Sequence, residues 1–165
     1  MLKEVLFLSA EQMNRVRPTT SAVVISILDR SEARYRPLLS GYRAVLTLDF
    51  EDTSEETKLA RPNQWPEEPT DAEHARFAQG KDEHIPTLTD ARKMVAFINE
   101  QNRSDEPLTL YVHCRMGVSR SAAVAQFVSD SLSIPLANAN MRSTAHANPR
   151  VGRLLAKAAK LAMHE

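Results

Sequence analysis

Cysteine is almost absent from this chain of 165 residues, which has a single copy at Cys114. One cysteine excludes an internal disulfide and a multi-thiolate metal site. The chain also lacks any apolar segment near the ~18 residues of a membrane span, and the apolar residues 5–8 are too few for a signal-peptide core. From these features we expect a cytoplasmic protein with no membrane contact.

Neither sign of charge is in excess, since 21 basic residues balance 21 acidic ones. This balance gives no reason to expect nucleic acid as a partner. It does not exclude an anionic substrate, because a few local donors create an anion site on a neutral protein. The length and the hydrophobic content of 42% predict one globular domain, residues 1–165, whose oligomeric state the sequence leaves open.

Short apolar runs and helical patterns alternate along the chain. Runs rich in aliphatic residues predict strands at 4–8, 21–28, 44–48 and 108–112. Capping residues and apolar spacing predict helices that begin near Ser9, Ser31, Thr87, Ser121 and Asn148. The alternation indicates an α/β fold with a mainly parallel central sheet of about four to five strands flanked by helices.

Residues 49–86 interrupt this alternation. They contain many acids, the prolines Pro62, Pro66 and Pro69, and no sustained periodicity, although residues 74–79 are predicted to form a helical turn. A loop this long in a compact domain is usually functional or mobile. We therefore predict a long, mobile loop that carries acidic residues.

Residues 111–121, YVHCRMGVSRS, join a predicted buried strand to a predicted helix. The backbone N–H groups of such a loop can point inward, and the helix N-terminus adds partial positive charge, so the loop forms a concave anion site. Gly117 lets the backbone bend and lie close to a ligand. The predicted substrate-binding residues are Arg115, Met116, Gly117, Val118, Ser119, Arg120 and Ser121.

Cys114 stands at the start of this loop, where the positive field favours a nucleophilic thiolate near neutral pH. Arg120 follows six residues later, and its planar fork can hold two oxygens of a phosphate, as Lys cannot. Ser121 offers its hydroxyl to the thiolate. His113 is predicted to support the loop through hydrogen bonds. These residues favour nucleophilic attack by sulfur on a bound phosphate.

The pattern Cys-x5-Arg, preceded by His113 and followed by Ser121, resembles the signature of the protein tyrosine phosphatase superfamily. The form HCRMGVSRSAAVA is most similar to the dual-specificity phosphatases and their short bacterial and phage relatives. Two other segments resemble the family. Residues 48–52 are similar to the strand end that leads into the acid-bearing loop, and residues 148–151 are similar to the start of the last helix.

The resemblance implies the cysteine-phosphatase fold and a cysteine-dependent protein phosphatase of tyrosine or dual specificity. It implies that a phosphomonoester, on a protein or another molecule, is hydrolysed in two steps through a phosphocysteine at Cys114. It implies no metal and no cofactor.

The resemblance further implies a general acid on a mobile loop, because the leaving oxygen needs a proton. Asp52 is the preferred candidate, since it follows a predicted strand and would lie at the edge of the sheet where ligands bind. Asp82 is the alternative because it lies 32 residues before Cys114, a spacing typical of compact members.

Three further acids are weaker candidates for the same role. Glu67 lies in Trp65-Pro66-Glu67, which resembles the Trp-Pro-Asp motif of larger tyrosine phosphatases. Asp49 and Asp71 also fall in the predicted acid-bearing loop. Each of these acids has the alternative of being an exposed carboxylate with no catalytic role.

Other functions are compatible with the same loop. A catalytically weak phosphate-binding module and a phosphatase for non-protein phosphates both remain open. A sulfurtransferase or an arsenate reductase is disfavoured, because such enzymes usually lack Arg at the sixth position or carry the loop near the N-terminus.

Overall fold

A computed structural model describes residues 1–58 and 65–164, apart from the side chains of residues 57 and 58. Residues 59–64 of the predicted acid-bearing loop lie outside the described residues. The described residues include four strands: β1 Leu2–Ser9, β2 Ala22–Ile27, β3 Ala44–Leu48 and β4 Leu108–Cys114. They also include five α-helices: α1 Ala10–Met13, α2 Asp71–Phe77, α3 Leu88–Asn102, α4 Arg120–Leu132 and α5 Pro149–Ala162.

The four strands form one sheet in the order β1-β4-β2-β3, and every pairing is parallel. All six residues of β2 are buried, as its unbroken apolar run predicts for a strand covered on both faces. β3 lies at an edge and alternates between partly buried and exposed residues until Leu48. The predicted α/β fold with a parallel sheet flanked by helices is confirmed.

Three α-helices begin where the sequence predicts, whereas α4 begins at Arg120, one residue before Ser121, and the helix predicted near Ser31 is a 3₁₀ helix, Ala33–Tyr35. Ser9 and Thr87 form capping boxes with the residues three positions later, and the Asn148 side chain accepts from the Val151 backbone N–H with Pro149 next to it. α2 begins at Asp71, earlier than predicted, because a third capping box forms at its start.

The helices leave uncovered the end of the sheet at which its strands finish. α4 contacts β1 and β4, and α5 contacts both α3 and α4. All carboxyl ends of a parallel sheet meet at one edge, where loops from β2, β3 and β4 converge. Within the described part of the chain, no helix is long and apolar enough to cross a membrane.

The segment after β3 is tied to α5 by one buried arginine. It contains a 3₁₀ helix, Glu55–Lys58, and then α2. The Arg150 guanidinium donates to Glu55 Oε1 at 2.6 Å and to the carbonyl oxygens of Pro66 and Pro86 at 2.7 and 2.8 Å. Both side chains of the ion pair are 3% exposed. Because one guanidinium bridges three points, the described parts of this segment are anchored to the helix.

Candidate active site

The predicted substrate-binding loop lies at the centre of the sheet edge. β4 ends at Cys114 and α4 begins at Arg120, so residues 115–119 form the connection. β4 lies between β1 and β2, which surround the loop with neighbouring strand ends. The predicted strand–loop–helix context is therefore present, with the helix N-terminus directed at the loop.

The Cys114 thiol is buried at the base of this loop, with 2% of the residue exposed. The Gly117 backbone N–H donates to Cys114 Sγ at 3.3 Å, and Ser121 Oγ lies 3.2 Å from the same sulfur. Both groups are placed to stabilise a negative charge on this sulfur.

Gly117 is required by the close approach of the loop to the end of β1. Its φ is +66°, and a Cβ at this position would lie 2.3 Å from the Ser9 nitrogen and 2.4 Å from the Leu8 carbonyl carbon. The Arg142 guanidinium donates to the Gly117 carbonyl oxygen and to the Gln12 side chain. The turn that delivers an N–H to sulfur is thus fixed by its own backbone and by Arg142.

Arg120 is 3% exposed and held by two partners. Its Nη2 donates to the two Glu32 oxygens at 2.8 and 3.0 Å, and its Nη1 donates to the Phe50 carbonyl at 2.9 Å. Burial opposes its charge, but Cys114, Glu32 and Asp52 together raise the pKa of Arg120 above the ordinary value. Its Nε has no hydrogen-bond partner among the described residues. Arg120 is therefore charged and held in one orientation.

His113 is fully buried behind the loop. Burial lowers its pKa to about 4, with smaller contributions from Arg36 and Arg120, while the Cys114 backbone acts in the opposite direction. Neither ring nitrogen meets hydrogen-bond geometry with any described residue. The imidazole is therefore neutral at physiological pH, and its predicted support of the loop through hydrogen bonds stays a prediction.

The side chains at the rim of the loop are exposed or stacked. Met116 is 66% exposed and Val118 is 40% exposed. The Arg115 guanidinium lies over the Tyr35 ring, with Cζ 3.8 Å from the ring centroid. The side chains of these three loop residues therefore lie at the rim of the loop, away from the buried Cys114.

Asp52 contacts the loop directly. Its Oδ1 accepts from Ser119 Oγ at 2.6 Å and from Asn148 Nδ2 at 2.9 Å. The same Asn148 amide donates to the Thr53 carbonyl at 3.1 Å. An exposed carboxylate is thereby held beside the loop.

The other acids considered lie elsewhere. Asp82 has a φ of +60° and lines a separate pocket of about 390 Å³. Both oxygens of Glu67 accept from Lys157 Nζ, at 2.6 and 2.7 Å. Asp49 forms an exposed ion pair and Asp71 begins α2. The structure therefore brings Asp52, Cys114 and Arg120 together, and leaves the remaining candidates outside that group.

Sequence reasoning missed Glu32, which orients Arg120. Glu32 is 88 residues away in sequence. It is itself fixed by Asp29, since Asp29 N–H donates to Glu32 Oε2 at 3.1 Å and Glu32 N–H donates to Asp29 Oδ1 at 2.9 Å. The strand-end argument that favours Asp52 after β3 applies equally to acids after β2, so that signal could have found Glu32.

Cation ligands are not gathered at the site. Within residues 1–58 and 65–164, no group of three or more His, Cys, Asp or Glu side chains is placed to hold a metal ion.

Comparison with solved structures identifies the fold. The crystal structure of human DUSP28 matches with a TM-score of 0.51 and 19% sequence identity, over 97% of this chain and 94% of that one. The human tyrosine phosphatase-like serine/threonine/tyrosine-interacting protein matches more weakly, with a TM-score of 0.43 and 16% identity over 87% and 80% of the two chains. No family model and no curated protein matches the sequence. At this identity the likeness concerns architecture, and the chain has a dual-specificity phosphatase-like fold.

Proposed function

We propose that this protein is a cysteine-dependent phosphatase that hydrolyses phosphomonoesters on proteins, with tyrosine or dual specificity. The observation that carries the proposal is the contact set of one loop: Cys114 Sγ receives the Gly117 N–H, and Asp52 binds the loop through Ser119. A nucleophile, an anion-binding backbone and an acid then meet at one point.

In the first step, the phosphate accepts hydrogen bonds from the loop N–H groups and from Arg120. The Cys114 thiolate attacks phosphorus, the S–P bond forms, and the P–O bond to the leaving group breaks. The leaving oxygen takes the Asp52 proton, so that an alcohol or phenol departs with Asp52 ionised. Arg120 stabilises the charge on the equatorial oxygens.

In the second step, a water molecule gives one proton to the Asp52 carboxylate while its oxygen attacks phosphorus. The P–O bond forms and the S–P bond breaks. Sulfur leaves as a thiolate, stabilised by Ser121 and by the Gly117 N–H at 3.3 Å. Inorganic phosphate is released, and Asp52 is again protonated for the next turnover.

The proposal extends to the type of enzyme and its compartment. By its loop sequence the chain fits the short bacterial and phage relatives of the dual-specificity phosphatases, with residues 1–165 acting as one catalytic domain. A catalytic thiol works best where thiols stay reduced, which supports a cytoplasmic location.

The test is turnover of 4-nitrophenyl phosphate and of phosphotyrosine and phosphothreonine peptides, with EDTA present to suppress metal-dependent contaminants. We expect phosphate release by the wild-type chain and none by Cys114→Ser. Trapping with acid during turnover should leave a phosphorylated protein whose label maps to Cys114. Turnover by Cys114→Ser at the wild-type rate would overturn the proposal.

A further inference from the structure

A second pocket lies beside the loop, next to the residue that follows the nucleophile. It has a volume of about 330 Å³ and lies between α1, the segment after β2 and Arg115. Its lining residues are Ala10, Glu11, Asn14, Arg34, Tyr35, Arg36, Pro37 and Arg115. The Arg115 backbone carbonyl accepts from the Ala10 N–H at 3.3 Å, which ties this pocket to the loop.

Two guanidinium groups share the Tyr35 ring in this pocket. Arg115 Cζ lies 3.8 Å from the ring centroid and Arg34 Cζ lies 4.8 Å from it. Arg34 Nη2 also donates to the Tyr35 hydroxyl at 2.9 Å. Stacking on an aromatic face orders a guanidinium but uses few of its N–H donors. The tyrosine is 40% exposed, so the ordered group is accessible from solvent.

The positive charge of the two arginines is not neutralised locally. Among the described residues, neither Arg34 nor Arg115 forms an ion pair with a carboxylate. The acid that lines the pocket, Glu11, is bound by Arg15 at 2.6 Å. Hydrogen bonding from Arg34 and then Arg115 lowers the pKa of Tyr35, as expected where the local potential is positive.

Arg36, which also lines the pocket, serves a different purpose. Its guanidinium donates to the Ser26 hydroxyl and carbonyl at 2.5 and 3.2 Å, and to the Leu48 carbonyl at 3.4 Å. It therefore joins the strand ends, and the donors left for a ligand are those of Arg34 and Arg115.

We propose that Arg34, Tyr35 and Arg115 form a specificity subsite for an acidic side chain that flanks the phosphorylated residue of a peptide substrate. The inference rests on the proposed phosphatase function. The subsite begins at Arg115, the residue after Cys114, so it lies beside the point that the phosphate of a bound peptide would occupy. A carboxylate and a second phosphate share the chemistry that two guanidinium forks recognise.

Apolar groups at the same rim favour a peptide over a purely polyanionic ligand. Met116 and Val118 are exposed in the loop, and the Tyr35 ring contacts both arginines. Such a surface offers van der Waals contact to a polypeptide chain next to the sites for its acidic groups.

The test compares matched phosphopeptides that carry Glu, Gln, Lys or phosphoserine at each of the three positions on either side of the phosphorylated residue. For the wild type, we expect kcat/KM for the best Glu or phosphoserine peptide to exceed that for its Gln partner by about three- to tenfold, the scale of one partly exposed charged hydrogen bond. Arg34→Glu leaves Arg115 in place but brings the charge of the arginine pair to zero, so it should abolish the preference for the Glu peptide over the Lys peptide. Arg92→Glu, which changes an exposed arginine of α3, is the matched control and should keep the wild-type order.

Failure of the subsite and failure of the proposed chemistry give different results. An unchanged Glu-to-Lys ratio in Arg34→Glu, with 4-nitrophenyl phosphate still hydrolysed, would overturn the subsite alone. If no phosphate ester is hydrolysed, the subsite is tested by binding instead. The Glu-to-Lys ratio is then taken from the dissociation constants of the same peptides for Cys114→Ser. If Arg34→Glu alters binding of inositol polyphosphate and leaves every peptide ratio unchanged, the pocket recognises a different class of ligand and the proposal is wrong.

Discussion

The predicted substrate-binding loop and the two segments that flank it are specified in opposite ways. Residues 113–121 are contiguous, so nucleophile, bend and arginine are set by local sequence. The flanking contacts join distant residues: Arg120 and Glu32 are 88 residues apart, and Ser119 and Asp52 are 67 apart. Under the proposed function, the groups that bind and attack the phosphate therefore lie in one contiguous segment, whereas the orientation of Arg120 and the proton transfer depend on contacts between distant residues.

The largest effect on activity should come from substitution of Cys114, which lies in the contiguous loop. Cys114→Ser replaces a thiolate by a hydroxyl that stays protonated, so we expect kcat to fall about a thousandfold or more. Phosphate binding should persist, since the loop N–H groups and Arg120 are unchanged. Steady-state kinetics and isothermal titration with inorganic phosphate measure the two quantities. Loss of binding together with catalysis would mean that the substitution disrupts the loop.

Substitutions of Arg120, in the same loop, distinguish the contribution of its positive charge from that of its planar guanidinium group. Arg120→Lys keeps the charge but loses the fork that reaches both Glu32 and the Phe50 carbonyl. We expect kcat/KM to fall by a factor on the order of a hundred, close to the fall in Arg120→Ala. Activity of the Lys variant within a few fold of wild type would mean that charge alone is sufficient.

The acid-bearing segment is tested by the leaving group. Asp52→Asn should slow the hydrolysis of alkyl phosphates about a hundredfold or more, because a poor leaving group needs a proton. Aryl phosphates with good leaving groups should be affected much less, which a plot of rate against leaving-group pKa would record. Asp82→Asn is the matched control, and leaving-group dependence in that variant alone would transfer the role from Asp52 to Asp82.

Glu32 tests whether the segment after β2 positions Arg120. Glu32→Gln keeps the length of the side chain but weakens its hydrogen bonds with the Arg120 guanidinium, so kcat/KM should fall about tenfold. Asp49→Asn, which removes an exposed ion pair, serves as the control. A higher kcat/KM in Glu32→Gln would show instead that the carboxylate competes with phosphate for Arg120.

Among these positions, His113 should have the smallest effect on catalysis, but it should have a measurable effect on how the stability of the protein depends on pH. Its pKa is about 4 in the folded protein, below the value of the unfolded chain, so the unfolded state binds the proton first as pH falls. Stability should therefore decrease from about pH 6.5 down to about pH 4, by roughly 3 kcal/mol at most. Urea unfolding against pH would measure this, and His113→Asn should have a flatter profile over that interval.

Most of the fold could be predicted because its signals are local. The buried run of β2 and the capping boxes at Ser9 and Thr87 each involve residues within a few positions of one another. Spacing along the chain did not predict where the candidate acids lie in space. The segment after β3 turns back toward the loop, which places Asp52 at Ser119 and carries Asp82 to another pocket. Contacts between distant residues have no periodic trace in one sequence.

Asn148 shows how narrowly a single position can be constrained. Its Oδ1 accepts from the Val151 N–H to begin α5, while its Nδ2 donates to Asp52 and to the Thr53 carbonyl. Ser, Thr and Asp are comparable helix caps, but none offers an acceptor and an amide donor on one planar group, and Asp would add a second negative charge. We therefore expect some replacements of Asn148 to keep the thermal stability of the protein but to lower its activity. Such variants would show that this amide links the start of α5 to the proposed general acid, Asp52.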